Sequence, residues 1–382
     1  MKLGSRLASL VISDIRSMSL ACDAVSGINL GQGICDLPTP PLVADGARAA
    51  ITANKVVYTA PDGIAPLRAG VAAKVHARYG LSYDPASEVV ITSGATGGFA
   101  AACLALFDPG DEIILFEPYY GYHLNTVIAL GLAPVLVPMM PPDWAFNADA
   151  LRRAVTPKTR AVVVCTPANP SGKVWSATEL DALAALCEEL DILAITDEIY
   201  EHILFDGTQH VPLATRGQAR ARTVTLSGFS KTFAVTGWRL GYLTAPAELA
   251  RRITVTHDLL YVCAPTPLQH AMVAGLAMPA SYYTDLAAAY EKKRAILCDA
   301  LADAGLTPYI PRGAYYVLAD IRRLGMKTAK EAAMALLQRV GIASIPGTSF
   351  YRDPVGDTLV RFCFAKEDAV LEESARRLRS TL

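Results

Sequence analysis

No two of the eight cysteines (Cys22, Cys35, Cys103, Cys165, Cys187, Cys263, Cys298, Cys363) stand in a C-x-x-C spacing, so neither a zinc knuckle nor a thioredoxin-like pair can be written from them. They read as reduced, mostly buried small apolar residues. The six histidines form no H-E-x-x-H or similar ligand pattern, and no metal is expected. Neither charge is in excess. Lys+Arg number 35 against 36 Asp+Glu, a net charge of −1 that is too balanced for a chain whose business is gripping nucleic acid or an anionic membrane. The long apolar run Gly98 to Phe107 stops at Asp108, well short of the ~20 residues a membrane span needs. Arg6, Asp14 and Arg16 break the apolar stretches of the N-terminus, so neither an export signal nor a membrane helix is expected, and the expected compartment is the cytoplasm. Internal repeats and low-complexity tracts are also lacking.

What is there is core. Hydrophobic residues make up 52% and charged ones only 19%, and at roughly 100–200 residues per domain the length implies two or three domains. Short β-branched runs at 88–92, 112–116, 161–165, 193–196, 223–226 and 240–244 alternate with Ala/Leu-rich helical stretches at 97–107, 177–190 and 247–258. That alternation predicts an α/β domain with a mostly parallel sheet, whose buried strands read as continuous apolar runs. From Ser281 the text changes to a charged helix at 286–304, then Gly/Pro punctuation at Pro311-Arg312-Gly313, then strand and helix again. We expect a large domain over 45–280 and a smaller α+β domain built from 1–44 and 281–382.

Gly31-Gln32-Gly33 opens like a dinucleotide fingerprint, but Asp36 stands where the third glycine belongs, and Pro38, Pro40 and Pro41 forbid the helix that should follow. The informative positions are the strand ends, where open α/β sheets build ligand sites. In order they are Ser93-Gly94-Ala95-Thr96, Glu117-Pro118-Tyr119-Tyr120, Thr166-Pro167-Ala168-Asn169-Pro170, Asp197-Glu198-Ile199-Tyr200 and Ser227-Gly228-Phe229-Ser230-Lys231. Taken singly, each has a plain reading: a solvated lysine, a capping threonine, a core tyrosine, an exposed strand arginine. Together they offer what one aromatic, phosphorylated aldehyde needs. Ala95 and Thr96 at a helix start, with Arg239, suit a phosphate. Tyr120 offers a face for stacking, Asp197 a counter-charge for a pyridinium nitrogen, and Asn169 and Tyr200 hydrogen bonds to a phenolic oxygen. Lys231 supplies an amine for a Schiff base.

With these residues the chain resembles the fold type I pyridoxal-phosphate enzymes, specifically the class I/II aminotransferases. The resemblance lies in Tyr58-x-x-x-x-Gly63-x-x-x-Leu67-Arg68, Asn169-Pro170-x-Gly172, Asp197-Glu198-Ile199-Tyr200, Ser230-Lys231-Thr232-Phe233-x-x-Thr236-Gly237-Trp238-Arg239-x-Gly241-Tyr242 and Val360-Arg361-Phe362, spread over nearly the whole chain. It implies a large domain with a mostly parallel mixed sheet between helices, and pyridoxal 5'-phosphate bound covalently by Lys231, which then shuttles the substrate proton. It further implies that Arg361 takes the substrate α-carboxylate, helped by Asn169 and the backbone near Gly33. Tyr58, on the same resemblance, reaches the phosphate of a neighbouring subunit in a homodimer. Where many members have a phosphate-contacting serine three residues before the lysine, this chain has Gly228, leaving Ser227 or Ser230 to serve. The mouth motif Gly33-Ile34-Cys35-Asp36 also departs from the family's Gly-x-Pro-Asp.

The activity so implied is ping-pong transfer of an amino group from an amino acid to a 2-oxo acid. With no second arginine assignable to a side-chain carboxylate and with Tyr119, Tyr120, Tyr122 and Tyr261 nearby, a neutral or aromatic amino acid is expected. A β-lyase or other Cα chemistry on the same cofactor is the alternative. A transcription regulator built on such a domain would need a DNA-binding extension, and none fits before Asn29.

Overall fold

Apolar and β-branched residues dominate the segments that become the central sheet, because strands covered on both faces favour side chains that pack against apolar neighbours. The computed structural model describes residues 14–381, so Arg6 and the first thirteen positions of the expected small domain lie outside the described residues. The strands are β1 (Ile28–Asn29), β2 (Val89–Thr92), β3 (Glu112–Glu117), β4 (Ala133–Pro138), β5 (Thr159–Cys165), β6 (Leu193–Asp197), β7 (Thr223–Gly228), β8 (Gly241–Thr244), β9 (Thr307–Tyr309), β10 (Tyr316–Asp320), β11 (Ile342–Ala343), β12 (Ile345–Pro346) and β13 (Leu359–Cys363).

The large sheet runs β2-β8-β7-β6-β5-β3-β4, parallel except for β8, which is antiparallel to both neighbours. Successive residues of β3 feed opposite cores. Ile113 and Leu115 pack with Phe99 and Ile253 on one face, and Ile114 and Phe116 with Leu180 and Trp175 on the other. The helix Gly94–Leu106 covers the first face. The helix Ala177–Glu189 covers the second, its start fixed by a capping box in which Ser176 and Glu179 satisfy each other's backbone N–H groups. Strand β4 is absent from the sequence-based expectation. Its Ala-Pro-Val-Leu-Val-Pro carries prolines at its second and last positions, tolerable because β4 is an edge strand with a single neighbour.

The second sheet, β12-β13-β10-β9, is antiparallel throughout, and β1 pairs in parallel with β11 beside it. A long helix, Ala280–Asp303, packs on β9 and β10, and the terminal helix Asp368–Thr381 packs on that helix. One continuous apolar cluster joins Val162 and Val164 of the large sheet to Val317 and Phe362 of the small one. The carboxyl ends of β2, β5, β6 and β7 therefore face β10 and β13 across a cleft. Among the described residues no helix is long and apolar enough to cross a membrane, and no cluster of His, Cys, Asp or Glu is arranged to hold a metal.

Candidate active site

The cleft encloses about 460 Å³, in the range of small-molecule sites. Asp197, last residue of β6, sits in register with Cys165, last of β5. One of its oxygens accepts from the backbone N–H of Ile199 at 3.2 Å, and the other lies 3.1 Å from Nε2 of His123. His123 is the third residue of the helix Gly121–Ala129, buried and edge-on to the Tyr120 ring at 5.1 Å. Tyr120 lines the cavity beside this acid–imidazole pair.

Lys231, three residues past the end of β7, projects into the same cavity, its Nζ 5.8 Å from the ring centre of Tyr200 and 5.4 Å from that of Tyr315. Among the described residues no hydrogen bond holds this amine. Removal from water pushes its pKa down to about 8, and the nearby Arg239 guanidinium adds to the fall, while Asp197 opposes it. Burial, more than neighbouring positive charge, is what frees the amine.

Across the cleft Arg361 is almost wholly buried at the middle of β13, its guanidinium between the rings of Tyr316 (4.3 Å) and Phe350 (4.7 Å). Its two terminal nitrogens donate to Asn169 Oδ1 at 2.9 Å and to the Gly31 carbonyl at 2.6 Å, while Nε has no partner. Tyr200 and Tyr316 bring their hydroxyls within 3.4 Å of each other. At Gly33 a Cβ would come within 1.8 Å of the Tyr316 hydroxyl, so only glycine fits.

At the other end Gly94 takes φ +74° to start the helix that presents Ala95 and Thr96 to the cavity. A side chain there would strike Arg239 at 2.8 Å, and one at Gly241 would strike the Ala95 amide at 2.7 Å. Arg239 itself is left-handed, φ +52°, which turns its guanidinium back over this end, where it donates to the Thr236 carbonyl at 3.1 Å.

The sequence model described as "Aminotransferase class I and II" matches residues 25–378. The chain belongs to this family of pyridoxal-phosphate-dependent enzymes. The aminotransferase is 37% identical to the probable N-succinyldiaminopimelate aminotransferase DapC of Mycobacterium tuberculosis, over 98% of this chain and 97% of the relative. It is 32% identical to the methionine aminotransferase of Escherichia coli, over 98% and 97%. The solved structure of the M. tuberculosis N-succinyldiaminopimelate aminotransferase superposes with a TM-score of 0.96, at 38% identity and 99% coverage of both chains. That of the Thermus thermophilus aspartate aminotransferase with maleate superposes at 0.93, with 31% identity and full coverage of both. The fold is fold type I, as expected.

The aminotransferase gathers Gly33, Ala95, Thr96, Tyr120, Asn169, Asp197, Tyr200, Ser230, Lys231, Arg239 and Arg361 around the one cavity. Two expected residues are elsewhere. Ser227 is a correction: it lies on the strand with its hydroxyl turned from the cavity, donating to Glu201 Oε1 at 2.6 Å inside a buried cluster with Lys74, Tyr79 and Tyr242. Of the two candidate serines, Ser230 alone lines the site. Tyr58 is 81% exposed in the single chain and lines no part of the cavity. Of the tyrosines thought to flavour the site, Tyr120 and Tyr122 line it, whereas Tyr119 and Tyr261 do not. Residues not foreseen are His123, Thr236, Gln32 and Tyr316. His123 was readable only as the position one helical turn past Tyr120. The cavity fits pyridoxal phosphate: a free amine, a carboxylate held from behind, an exposed helix start beside an arginine, and two glycines whose missing side chains keep the space open.

Proposed function

We propose that the enzyme takes the amino group from a neutral or aromatic amino acid and passes it to a 2-oxo acid in two half-reactions at this single site. The observation that carries the reading is Lys231, a buried amine with lowered proton affinity that lines one cavity with Asp197 and the Asn169–Arg361 pair. When bound, pyridoxal phosphate supplies an aldehyde for that amine and a ring that accepts the electron pair released at the substrate's Cα.

The chain's own residues do the rest. Lys231 Nζ holds the cofactor and, once displaced by the substrate amine, takes the proton from Cα. Asp197 sets its negative charge against the ring nitrogen, and His123 keeps the carboxylate from turning away. Since Asn169 gives its oxygen to Arg361, its amide nitrogen is left to donate, with the Tyr200 hydroxyl, to the ring oxygen. The amides of Ala95 and Thr96, with Ser230 and Arg239, receive the phosphate. Arg361, held flat between two rings, offers a fixed fork to the α-carboxylate.

On this reading residues 45–280 carry the cofactor, and the remainder forms a small domain bringing Arg361. A homodimer is supported by exposed apolar side chains at Val56, Val57 and Tyr58 and at Leu259, Leu260 and Val262, more than a monomer leaves uncovered in short runs. Eight unpaired cysteines support a reducing, cytoplasmic setting. The relatives' names span N-succinyldiaminopimelate, methionine, kynurenine and aspartate, so membership of the family does not choose the donor. The test is a single-turnover screen of amino acids against the loaded enzyme, followed by the change from aldehyde to amine absorption. Conversion reversed by a 2-oxo acid is expected. Pyruvate and ammonia released from a β-substituted amino acid without any acceptor would mark a lyase and overturn the proposal.

A further inference from the structure

Glu117, the last residue of β3, takes no part in the chemistry above, yet it is a carboxylate with only 3% of its surface exposed. Removal from water pushes its pKa up, and hydrogen bonds from the backbone N–H groups of Arg352 and Asp353 oppose the rise. Burying a carboxylate on backbone donors is costly. What this one secures is a loop from the other side of the cleft.

Residues 347–358 connect β12 to β13, the strand that carries Arg361 opposite Ile345. Further bonds tie this connection to the ends of β3 and β4. The Tyr119 N–H donates to the Phe350 carbonyl at 2.9 Å, the Tyr351 hydroxyl donates to the Met139 carbonyl at 2.8 Å, and Trp144 Nε1 donates to that hydroxyl at 2.9 Å. Among these anchors sits Phe350, 1% exposed, its ring 4.7 Å from the Arg361 guanidinium. Phe350 is one of the two aromatic walls that fix the guanidinium plane, Tyr316 being the other. Where that wall stands relative to the cavity is set by the attachment of its loop to β3, whose next residues lead to Tyr120.

We propose that Glu117 is a positioning residue for substrate binding: by holding the backbone of Arg352 and Asp353 it keeps Phe350 against Arg361, so that the guanidinium meets the substrate α-carboxylate in a fixed plane. Glu117 touches neither substrate nor cofactor and acts only through Phe350. The inference rests on the aminotransfer reading, with Arg361 as the carboxylate anchor. Its consequence is selective: loss of Glu117 weakens the grip on a carboxylate and spares the steps at Lys231.

The experiment uses the loaded enzyme and three probes built on the best donor of the amino-acid screen: the amino acid, the same acid without its amino group, and the same amine without its carboxyl group. For phenylalanine the last two are 3-phenylpropionate and phenethylamine. Binding of the acid is read from the absorbance change of the bound cofactor and needs no turnover. Glu117→Leu should weaken the acid about tenfold and raise KM for the amino acid about as much, the size of one desolvated cation–π contact, with kcat and the rate with the amine nearly unchanged. Phe350→Leu should weaken the acid to a similar extent, and the double variant should lose about tenfold rather than a hundredfold, since both changes remove one contact. If Glu117→Leu does not fold, Glu117→Gln keeps the size and an acceptor oxygen but loses the charge, and should show the same selective loss at about threefold. Unchanged affinity for the acid, an equal loss toward the amine, or a fully multiplicative double variant overturns the inference while leaving aminotransfer intact. A wild-type enzyme that neither binds the acid nor converts any amino acid overturns the aminotransfer reading and this inference with it.

Discussion

His123 Nε2 meets Asp197 Oδ2 at 3.1 Å, both side chains buried, Asp197 on the cavity wall and His123 behind it. Asp197's other oxygen is held by the Ile199 amide, so the carboxylate plane is set from two sides before any ligand arrives. Replacing His123 with phenylalanine keeps a ring of similar size against Phe99 and Tyr120 and removes only the hydrogen bond. Hydrogen bonds to charged groups are worth about 1.5–3 kcal/mol, so the single-turnover rate should fall at least tenfold. The cofactor should also dissociate faster. Rapid-mixing absorbance and gel filtration against cofactor-free buffer check both, and an unchanged rate would mean that Asp197 does not depend on His123 for its orientation.

Arg361 is expected to be irreplaceable by lysine. Its fork serves Asn169 and Gly31 at once, and its plane fits between Tyr316 and Phe350, which an ammonium cannot imitate. Arg361→Lys should raise KM for amino acids by roughly 10–100-fold, as loss of a charge-assisted bidentate contact implies. The same variant should lose little toward a simple primary amine that has no carboxylate. Measuring both substrate types separates loss of carboxylate binding from general damage to the site.

The lowered proton affinity of Lys231 gives a pH signature. The neutral amine is the reactive form. With a pKa brought from 10.5 to about 8, roughly one amine in ten is neutral at pH 7, against about one in three thousand for an ordinary lysine. Capture of pyridoxal phosphate by the cofactor-free protein should therefore speed up as pH rises from 6, with a midpoint near 8, and level off above about 9. The measurement is the initial rate of absorbance change on mixing, across pH. A rate still climbing beyond pH 10 would show that the lysine is not shielded from water as described.

The strand ends were legible because their chemistry is unusual for buried chain: an aspartate, an asparagine and a lysine after runs of valine and isoleucine demand a reason, and the reason is the site. Ser227 was not legible. The alternation Thr-Val-Thr-Leu-Ser of β7 groups Ser227 with Thr223 and Thr225 on one face, but with every residue of the strand buried the alternation does not say which face borders the cavity. Here the phase hands it to Glu201, whose burial would raise its pKa but whose contacts with Lys74 and the neighbouring histidines hold it well below the usual range. Tyr316 escaped for another reason. Its partners, Tyr200, Gly33 and Arg361, come from three distant segments, and nothing in Ala314-Tyr315-Tyr316 alone distinguishes a core tyrosine from one beside a guanidinium.

Tyr58 offers a test of assembly that needs no structure of the dimer. The residue is 81% exposed and lines no part of its own chain's cavity, so any contact it makes with cofactor must be made in another protomer. Lys231→Ala protein should be inactive, and Tyr58→Ala protein should bind cofactor weakly. When the two are unfolded together and refolded as a mixture, a hybrid dimer has one site that combines an intact Lys231 with the intact Tyr58 of its neighbour. Activity should therefore return, to about a quarter of the wild-type value if subunits assort at random, since half the dimers are hybrids with one repaired site each. A reciprocal control, wild type mixed with the doubly substituted chain, yields hybrids in which neither site is complete and should show no such gain. Recovery absent from the first mixture, with dimers present by light scattering, would mean that Tyr58 serves no neighbouring site.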